Sequence, residues 1–196
     1  MNLLEPSNAV FLTGLLVFYG IRAVFARRAK GEAIAVSRFD RREKLLLAAM
    51  FPPTLLLPLL YLFTPLLTFA DYRLPPPLTW SGLPLLLGSL WLFYRSHADL
   101  GRNWSVSVEL REDHQLVTHG VYRFIRHPMY AAIWLWCFAQ GLLLQNWLAG
   151  WSLLPVFAVL YLLRLPREEQ LMHEQFGDAY REYSQRTGRV VPKIWR

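Results

Sequence analysis

The runs MYAAIWLWCFAQGLLLQ, Met129 to Gln145, and WLAGWSLLPVFAVLYLL, Trp147 to Leu163, decide the fold. Neither contains a charged residue, and only the short stretch Asn146–Gly150 marks the turn between them. A helix that crosses a bilayer needs about 20 mostly apolar residues. So short a connection makes two such helices antiparallel neighbours. The pair therefore reads as a transmembrane hairpin with both outer ends on one face of the membrane.

Three further apolar segments lie upstream: Asn8–Ala26, interrupted only by Arg22; Leu45–Ala70, with no charge; and Leu78 to about Tyr94. Leu45–Ala70 carries Pro52, Pro53, Pro58 and Pro65. In lipid such prolines are tolerated, because neighbouring helices satisfy the freed carbonyls. A kink is expected near Pro52–Pro58. The fold class is thus an all-α integral membrane protein with about five transmembrane helices.

Composition agrees. Of 196 residues, 54% are hydrophobic, 15% aromatic and only 18% charged, against about 25% charged in an average soluble domain. Mean hydropathy is +0.23. These values exclude disorder, and 11 Gly with 1 Cys exclude collagen-like and disulfide-scaffold folds. The lone Cys137 also argues against a secreted, oxidised fold.

The net charge of +7 has two readings, nucleic-acid binding or cytoplasmic helix flanks, and placement separates them. Arg27, Arg28, Lys30, Arg38, Arg41, Arg42 and Lys44 follow the first segment, whereas Asp71–Pro77 holds only Arg73. Arg95, Arg102, Arg111, Arg123 and Arg126 follow the third segment, the hairpin turn has no Lys or Arg, and the tail is basic again. This alternation puts the N-terminus outside and the C-terminus in the cytoplasm, and gives no case for nucleic acid. Glu5 in place of a basic leader region, with the charges after the apolar run, predicts an uncleaved anchor.

The chemistry-bearing residues fall in two cytoplasmic stretches, His97–Tyr130 and Arg164–Arg196. The hairpin makes the end of the first a neighbour of the start of the second, which predicts one polar pocket at the cytoplasmic membrane surface. Arg126, His127 and Tyr130 stand at one helix mouth, and Arg164, Glu168 and Glu169 at the other. Arg164 and Glu168 are four residues apart and share a helix face, with a possible kink at Pro166. The pair reads as a surface ion pair of little energetic weight, or as a cation and an anion aimed at a bound zwitterion. Gly120 supplies a left-handed turn, and Pro128 starts a helix whose first amides face an anion. Tyr122 and Tyr130 fit either a pocket or an aromatic belt at the headgroups.

Other sites are disfavoured. His114, His119 and His127 match no common metal-ligand spacing, so no metal is expected. Cys137 lies mid-helix without a basic neighbour, which disfavours a nucleophile. No glycine-rich nucleotide fingerprint follows a predicted strand. Arg22 is the one intramembrane charge; it marks a functional residue, or snorkels to the inner interface near the end of its helix.

The run LVTHGVYRFIRHPMY and the later run REEQLMHEQFGDAYREYSQRTGRVVP resemble the isoprenylcysteine carboxyl methyltransferase family. The likeness rests on the His-x-Leu-Val-Thr-x-Gly-x-Tyr box at His114–Tyr122 and the Arg-His-Pro-x-Tyr box at Arg126–Tyr130. The Glu168–Glu169 pair and the tail Phe176, Gly177, Tyr180, Tyr183 complete it. It extends over about Leu100–Pro192; phospholipid N-methyltransferases share part of the pattern.

The resemblance implies an S-adenosylmethionine-dependent membrane methyltransferase acting on the carboxylate of an isoprenylcysteine-like lipidic acceptor. By position it implies cofactor contacts from His114, Gln115, Leu116, Val117 and Tyr122. His127, Pro128, Met129, Tyr130 and Glu168 follow, with a looser match near Ser107. Arg164 takes the acceptor-contacting position, so Arg164 and Glu168 are the expected catalytic pair. Residues 1–77 then form an N-terminal helical hairpin of uncertain role. Residues 78–196 form the core, with a cofactor loop at 97–130 and a cytoplasmic segment at 164–196. The expected setting is a bacterial inner membrane or the endoplasmic reticulum of a eukaryote. The rivals are an aminolipid N-methyltransferase, which needs a base to deprotonate its acceptor, and a non-enzymatic membrane subunit.

Overall fold

The computed structural model describes residues 2–29, 34–37, 40–101, 109–111 and 115–193. In chain order the elements are α1 (Pro6–Ala29), β1 (Ile34–Ser37), α2 (Arg41–Phe51), α3 (Leu57–Phe63), α4 (Pro76–Trp80) and α5 (Gly82–Leu100). Then come β2 (Glu109–Arg111), α6 (Pro128–Leu144), α7 (Trp147–Trp151) and α8 (Leu153–Arg186). Among the described residues three helical stretches are long and apolar enough to cross a membrane: Pro6–Arg28, Arg41–Phe63 and Trp147–Arg186. α6 is apolar but shorter.

The proline-rich second segment is one helical path from Arg41 to Phe63. Its deviation from α geometry is a π-helical turn at Pro52–Leu56, where the expected kink lies. The Thr54 hydroxyl donates to the Met50 carbonyl at 2.6 Å, and the buried Gln140 amide donates to the Pro53 carbonyl at 2.9 Å. The Pro53 carbonyl, five residues before Pro58 and so short of an N–H partner in the π turn, is thus served from a neighbouring helix. The helix stops at Phe63 rather than Ala70. Thr64 is extended, at φ −136° and ψ 160°, because Pro65 excludes helical geometry at the residue before it.

Two other boundaries differ from the sequence reading. α5 runs past Tyr94 to Leu100, so His97 and Asp99 belong to a helix and not to a loop. The chain is also not purely α: β1 and β2 form a two-stranded antiparallel ladder that pairs Val36 with Leu110. It ties together the two basic loops predicted on the same side of the membrane.

The hairpin is present. α6 ends at Gln145, in the left-handed region at φ 47°, and the buried Asn146 caps α7 by accepting from the Leu148 and Ala149 amides. The Asn146 amide also donates to the Leu67 carbonyl and to Asp71, and the Gln145 carbonyl accepts from the Tyr72 amide. The two loops poor in basic residues are therefore stapled together at one end of the bundle. The interior packs Phe11, Leu15, Leu62, Leu86, Trp136, Leu143 and Phe157, with Phe18 stacked on Phe93 at 4.0 Å. Leu16, Leu87, Trp91 and Leu162 point outward and are more than half exposed, as on a surface solvated by lipid chains.

α8 is a single helix from Leu153 through Pro166. Its backbone breaks not at Pro166 but at Gly177, where φ is 51° and ψ −122°. A side chain is strained in that region. The break folds the last turns back, placing the Tyr180 ring 4.7 Å from the His173 ring.

Candidate functional site

At the end of the bundle opposite the stapled loops, α1, α2, α5, α6 and α8 enclose a cavity of about 440 Å³. Its polar wall comes from the segment before α6 and from the polar half of α8. Its apolar wall continues between the helices along Leu15, Phe18, Leu47, Ile133 and Phe157.

The expected cofactor residues lie largely on this wall. Gln115, Leu116, Val117 and Tyr122 line it from the loop side, and His127, Pro128, Met129 and Tyr130 from the start of α6. Arg164 and Glu168 line it from α8. His114 and Ser107 lie outside the described residues.

One carboxylate oxygen joins both helix mouths. Glu168 Oε1 accepts from the Tyr130 hydroxyl at 2.8 Å and from Arg164 Nε at 2.7 Å. The rings of Tyr130 and His127 stack at 5.7 Å, and His127 Nδ1 lies 3.6 Å from Glu168 Oε2. The convergence that the hairpin predicts is therefore direct contact. Arg164 has a second carboxylate, Glu43 of α2, at 3.0 Å, and Glu43 is only 2% exposed. The Glu43 oxygen makes this ion contact without hydrogen-bond geometry, so the pair is held by charge more than by direction. The attraction within this set is screened less than in an exposed pair, and its desolvation cost means that removing one partner would leave a costly unpaired charge.

The sequence reading missed Glu43. Asp40 caps α2 by accepting from the Glu43 amide at 2.8 Å, so Asp40-x-x-Glu43 has the spacing of a helix-capping box. That local explanation hides the contact with a residue more than a hundred positions away.

Beneath the cavity wall a second cluster forms around Glu169. Its carboxylate accepts from Arg126 Nε at 2.9 Å, His127 Nε2 at 3.0 Å and the Tyr180 hydroxyl at 3.1 Å; Arg189 stands at 3.4 Å. Burial by itself would raise the Glu169 carboxyl, but hydrogen bonds and charge from His127 and Arg126 outweigh it and hold the group well below the usual range. Arg126 also donates to the Ser184 and Thr187 carbonyls, and the Tyr183 hydroxyl donates to the Tyr122 carbonyl at 2.7 Å. Burial raises the phenols of Tyr122 and Tyr180, and pushes Tyr183 up to about 12, so all three stay protonated donors at neutral pH.

This cluster also bears on His127 and Gly120. The His127 ring is engaged by Glu169, and the His127 amide donates to the Arg189 carbonyl at 2.9 Å. Both groups are engaged within the protein, and the His127 ring shapes the wall through its glutamate partners. Gly120 does adopt φ 58°. A Cβ there would clash with Asp99 Oδ2, the oxygen that accepts from the Val121 amide at 2.9 Å.

Cys137 is fully buried in the core. Among the described residues no group of three His, Cys, Asp or Glu side chains is placed to hold a metal.

Comparison with known proteins bears on this arrangement. The sequence model of the isoprenylcysteine carboxyl methyltransferase (ICMT) family matches residues 82–174. A probable protein-S-isoprenylcysteine O-methyltransferase of Oryza sativa subsp. indica is 25% identical over 187 residues, covering 94% of this chain and 95% of that protein. Protein-S-isoprenylcysteine O-methyltransferase B of Arabidopsis thaliana is 33% identical over 96 residues, 48% of this chain and 49% of its own. The Homo sapiens protein-S-isoprenylcysteine O-methyltransferase is 33% identical over 92 residues, 47% of this chain and 32% of its own. The solved structure of a eukaryotic intramembrane Ras methyltransferase ICMT superposes with a TM-score of 0.59 at 22% identity, covering 98% of this chain and 70% of that one. Over residues 82–174, which supply much of the polar wall, the chain is thus similar to isoprenylcysteine carboxyl methyltransferases, and over nearly its whole length it shares their fold.

Proposed function

We propose that this chain is a membrane-embedded, S-adenosylmethionine-dependent methyltransferase of the protein-S-isoprenylcysteine O-methyltransferase type. It methylates the carboxylate of a lipidic, prenylcysteine-like acceptor. The observation that carries the reading is the contact of Tyr130, Arg164 and Glu168 on the wall of a cavity that runs from a polar mouth into an apolar interior. The family match and the named relatives indicate the same activity.

The residues fit the cofactor. A cavity of about 440 Å³ with the Glu168 carboxylate and five tyrosines on its wall suits a sulfonium cation. Bound there, S-adenosylmethionine would supply a methyl group carried on positively charged sulfur. Glu168 offsets that charge, while the 115–117 backbone, Tyr122 and Tyr130 shape the surrounding wall.

The acceptor carboxylate is ionised at neutral pH, so no general base is needed. The chain's task is alignment, which can contribute up to about 7–11 kcal/mol. Glu43 and Glu168 fix Arg164 from two sides, leaving the rest of its donor fork to grip the carboxylate. An ammonium acceptor would meet the guanidinium of Arg164 instead of a base, which favours the carboxylate over the aminolipid reading. The Phe18, Leu47 and Phe157 wall suits the acceptor's hydrocarbon tail.

Five crossings, N-terminus outside and C-terminus cytoplasmic, fit the packing. In this reading the stapled Asp71 and Asn146 loops lie on the outer face, and the β1–β2 ladder and the cavity mouth on the cytoplasmic one. The decisive test is isothermal binding of S-adenosylmethionine to the purified chain in nanodiscs, followed by transfer to N-acetyl-S-farnesylcysteine and to phosphatidylethanolamine in parallel. Transfer to the prenylcysteine alone is the expected result. Transfer to the aminolipid alone rejects the carboxylate assignment.

A further inference from the structure

Three arginines line the cavity: Arg22, Arg126 and Arg164. Two are committed to carboxylates. Arg126 is held by Glu169, and Arg164 by Glu43 and Glu168. Arg22, on α1, is half-buried and takes part in none of the ion pairs or hydrogen bonds among the described residues. Its electrostatic neighbours are Tyr19, the cationic Arg164 and the His97 ring, and none is a counter-ion. An unpaired cation within a membrane-spanning helix is costly, and its usual justification is a ligand.

Charge bookkeeping points to the sign of that ligand. With both glutamates ionised, Glu43, Arg164 and Glu168 together carry one negative charge. Arg126 is offset by Glu169, so Arg22 brings the set of Arg22, Arg126, Arg164, Glu43, Glu168 and Glu169 to zero. A sulfonium cofactor of net charge +1 and an acceptor of charge −1 then leave the loaded cavity neutral. Without Arg22 the loaded site would carry an uncompensated negative charge that repels the carboxylate it must bind.

The surroundings of Arg22 separate acceptor from cofactor. The cofactor's own carboxylate is paired with an adjacent ammonium, and such a zwitterion needs anionic as well as cationic partners. Among the described residues Arg22 has no anionic partner, and it shares its wall with Leu15, Phe18 and Phe51. A lone carboxylate at the end of a hydrocarbon chain matches a lone guanidinium on an apolar wall.

We propose that Arg22 is an acceptor-recognition residue, holding the acceptor carboxylate together with Arg164, so that α1 completes the acceptor site. The inference rests on the methyltransferase reading above. It gives the N-terminal helix, outside the stretch matched by the family model, a direct part in specificity.

The test compares N-acetyl-S-farnesylcysteine with its carboxamide, which has the same shape and no charge. Binding is measured to the full chain in nanodiscs saturated with S-adenosylmethionine, for the wild type, Arg22→Met and Arg22→Lys. The wild type is expected to prefer the acid. Arg22→Met should weaken acid binding and raise KM by about 10- to 100-fold, the range for a hydrogen bond to a charged group. Carboxamide and S-adenosylmethionine affinities should not change, and Arg22→Lys should restore part of the acid preference. Acid affinity retained in Arg22→Met overturns the proposal. So does an equal loss for acid and carboxamide, which would mean a packing role, or a loss of S-adenosylmethionine affinity, which would mean a cofactor or folding role. Wild-type protein that binds S-adenosylmethionine but neither binds nor methylates the prenylcysteine refutes the underlying activity reading, and the Arg22 assignment falls with it.

Discussion

The two halves of the cavity wall are built on different principles. The half contributed by residues 115–130 and α8 is crowded with mutually satisfied charges: Glu169 alone is engaged by Arg126, His127 and Tyr180. The half contributed by α1 and α2 is mostly apolar: Leu15, Phe18, Leu47, Met50 and Phe51 line it with Tyr19 and Arg22, and Glu43 stands behind Arg164. The first half is tied together by its own hydrogen bonds, which suits a cofactor of fixed shape. The second offers a slot and an uncommitted charge, which suits an acceptor with a hydrocarbon tail.

The sharpest way to break this contrast is at the residue shared by both halves. Arg164→Ala leaves Glu43 and Glu168 as uncompensated, deeply set carboxylates. It should lower methyl transfer by about 100-fold or more, as loss of a charge-stabilising donor does. S-adenosylmethionine affinity, measured by calorimetry, should change much less; equal losses would place Arg164 on the cofactor side. Glu168→Gln comes next. It retains the shape but removes the anion facing the sulfonium, and should weaken S-adenosylmethionine binding by about tenfold. An unchanged dissociation constant removes Glu168 from the cofactor wall.

Glu43→Gln sharpens the comparison from the N-terminal side. Arg164 keeps Glu168 and loses one restraint, so kcat should fall several-fold while S-adenosylmethionine affinity holds; a loss of affinity instead would merge the two halves. A smaller effect is expected at the fold-back of α8. Gly177→Ala forces a side chain into φ 51° and should cost about 1–2 kcal/mol, read as a lower Tm, with KM values intact.

The pH response of the Glu169 cluster is the subtlest test. A depressed carboxyl contributes stability that is complete above the unfolded value of about 4.3 and is lost as pH falls through the lower folded value. Hydrogen exchange should therefore show the Tyr180–Gly188 arm docked between pH 7 and 5 and loosening only in stronger acid. In Glu169→Gln the arm should be looser at every pH, without that acid transition.

Much of the site was legible because its cause is local. Two charge-free runs joined by Asn146 force the residues on either side together, and Tyr130 and Glu168 do touch. Gly120 and the proline-rich turn at Pro52 follow from single-residue backbone preferences. Other features were hidden. Glu168 and Glu169 are adjacent in sequence but about 100° apart around a helix, and only packing assigns one to the cavity and the other to Arg126. The end of α5 was missed because Arg95, His97 and Asp99 look like loop residues. The Arg95–Asp99 ion pair at 2.6 Å and the Asp99 bond to the Val121 amide show why they continue the helix.

By itself the amino-acid sequence determined that this protein lives in a membrane, that a helical hairpin gathers its polar residues at one end, and which loop and helix carry them. Hydrophobic runs and backbone preferences act over a few residues, so they can be read along the chain. Only the tertiary structure decided which charges meet: Glu43 with Arg164, Glu169 with Arg126 and His127, and Arg22 with none of them. An ion pair depends on distances of a few ångströms between helices far apart in sequence, and those distances come from packing.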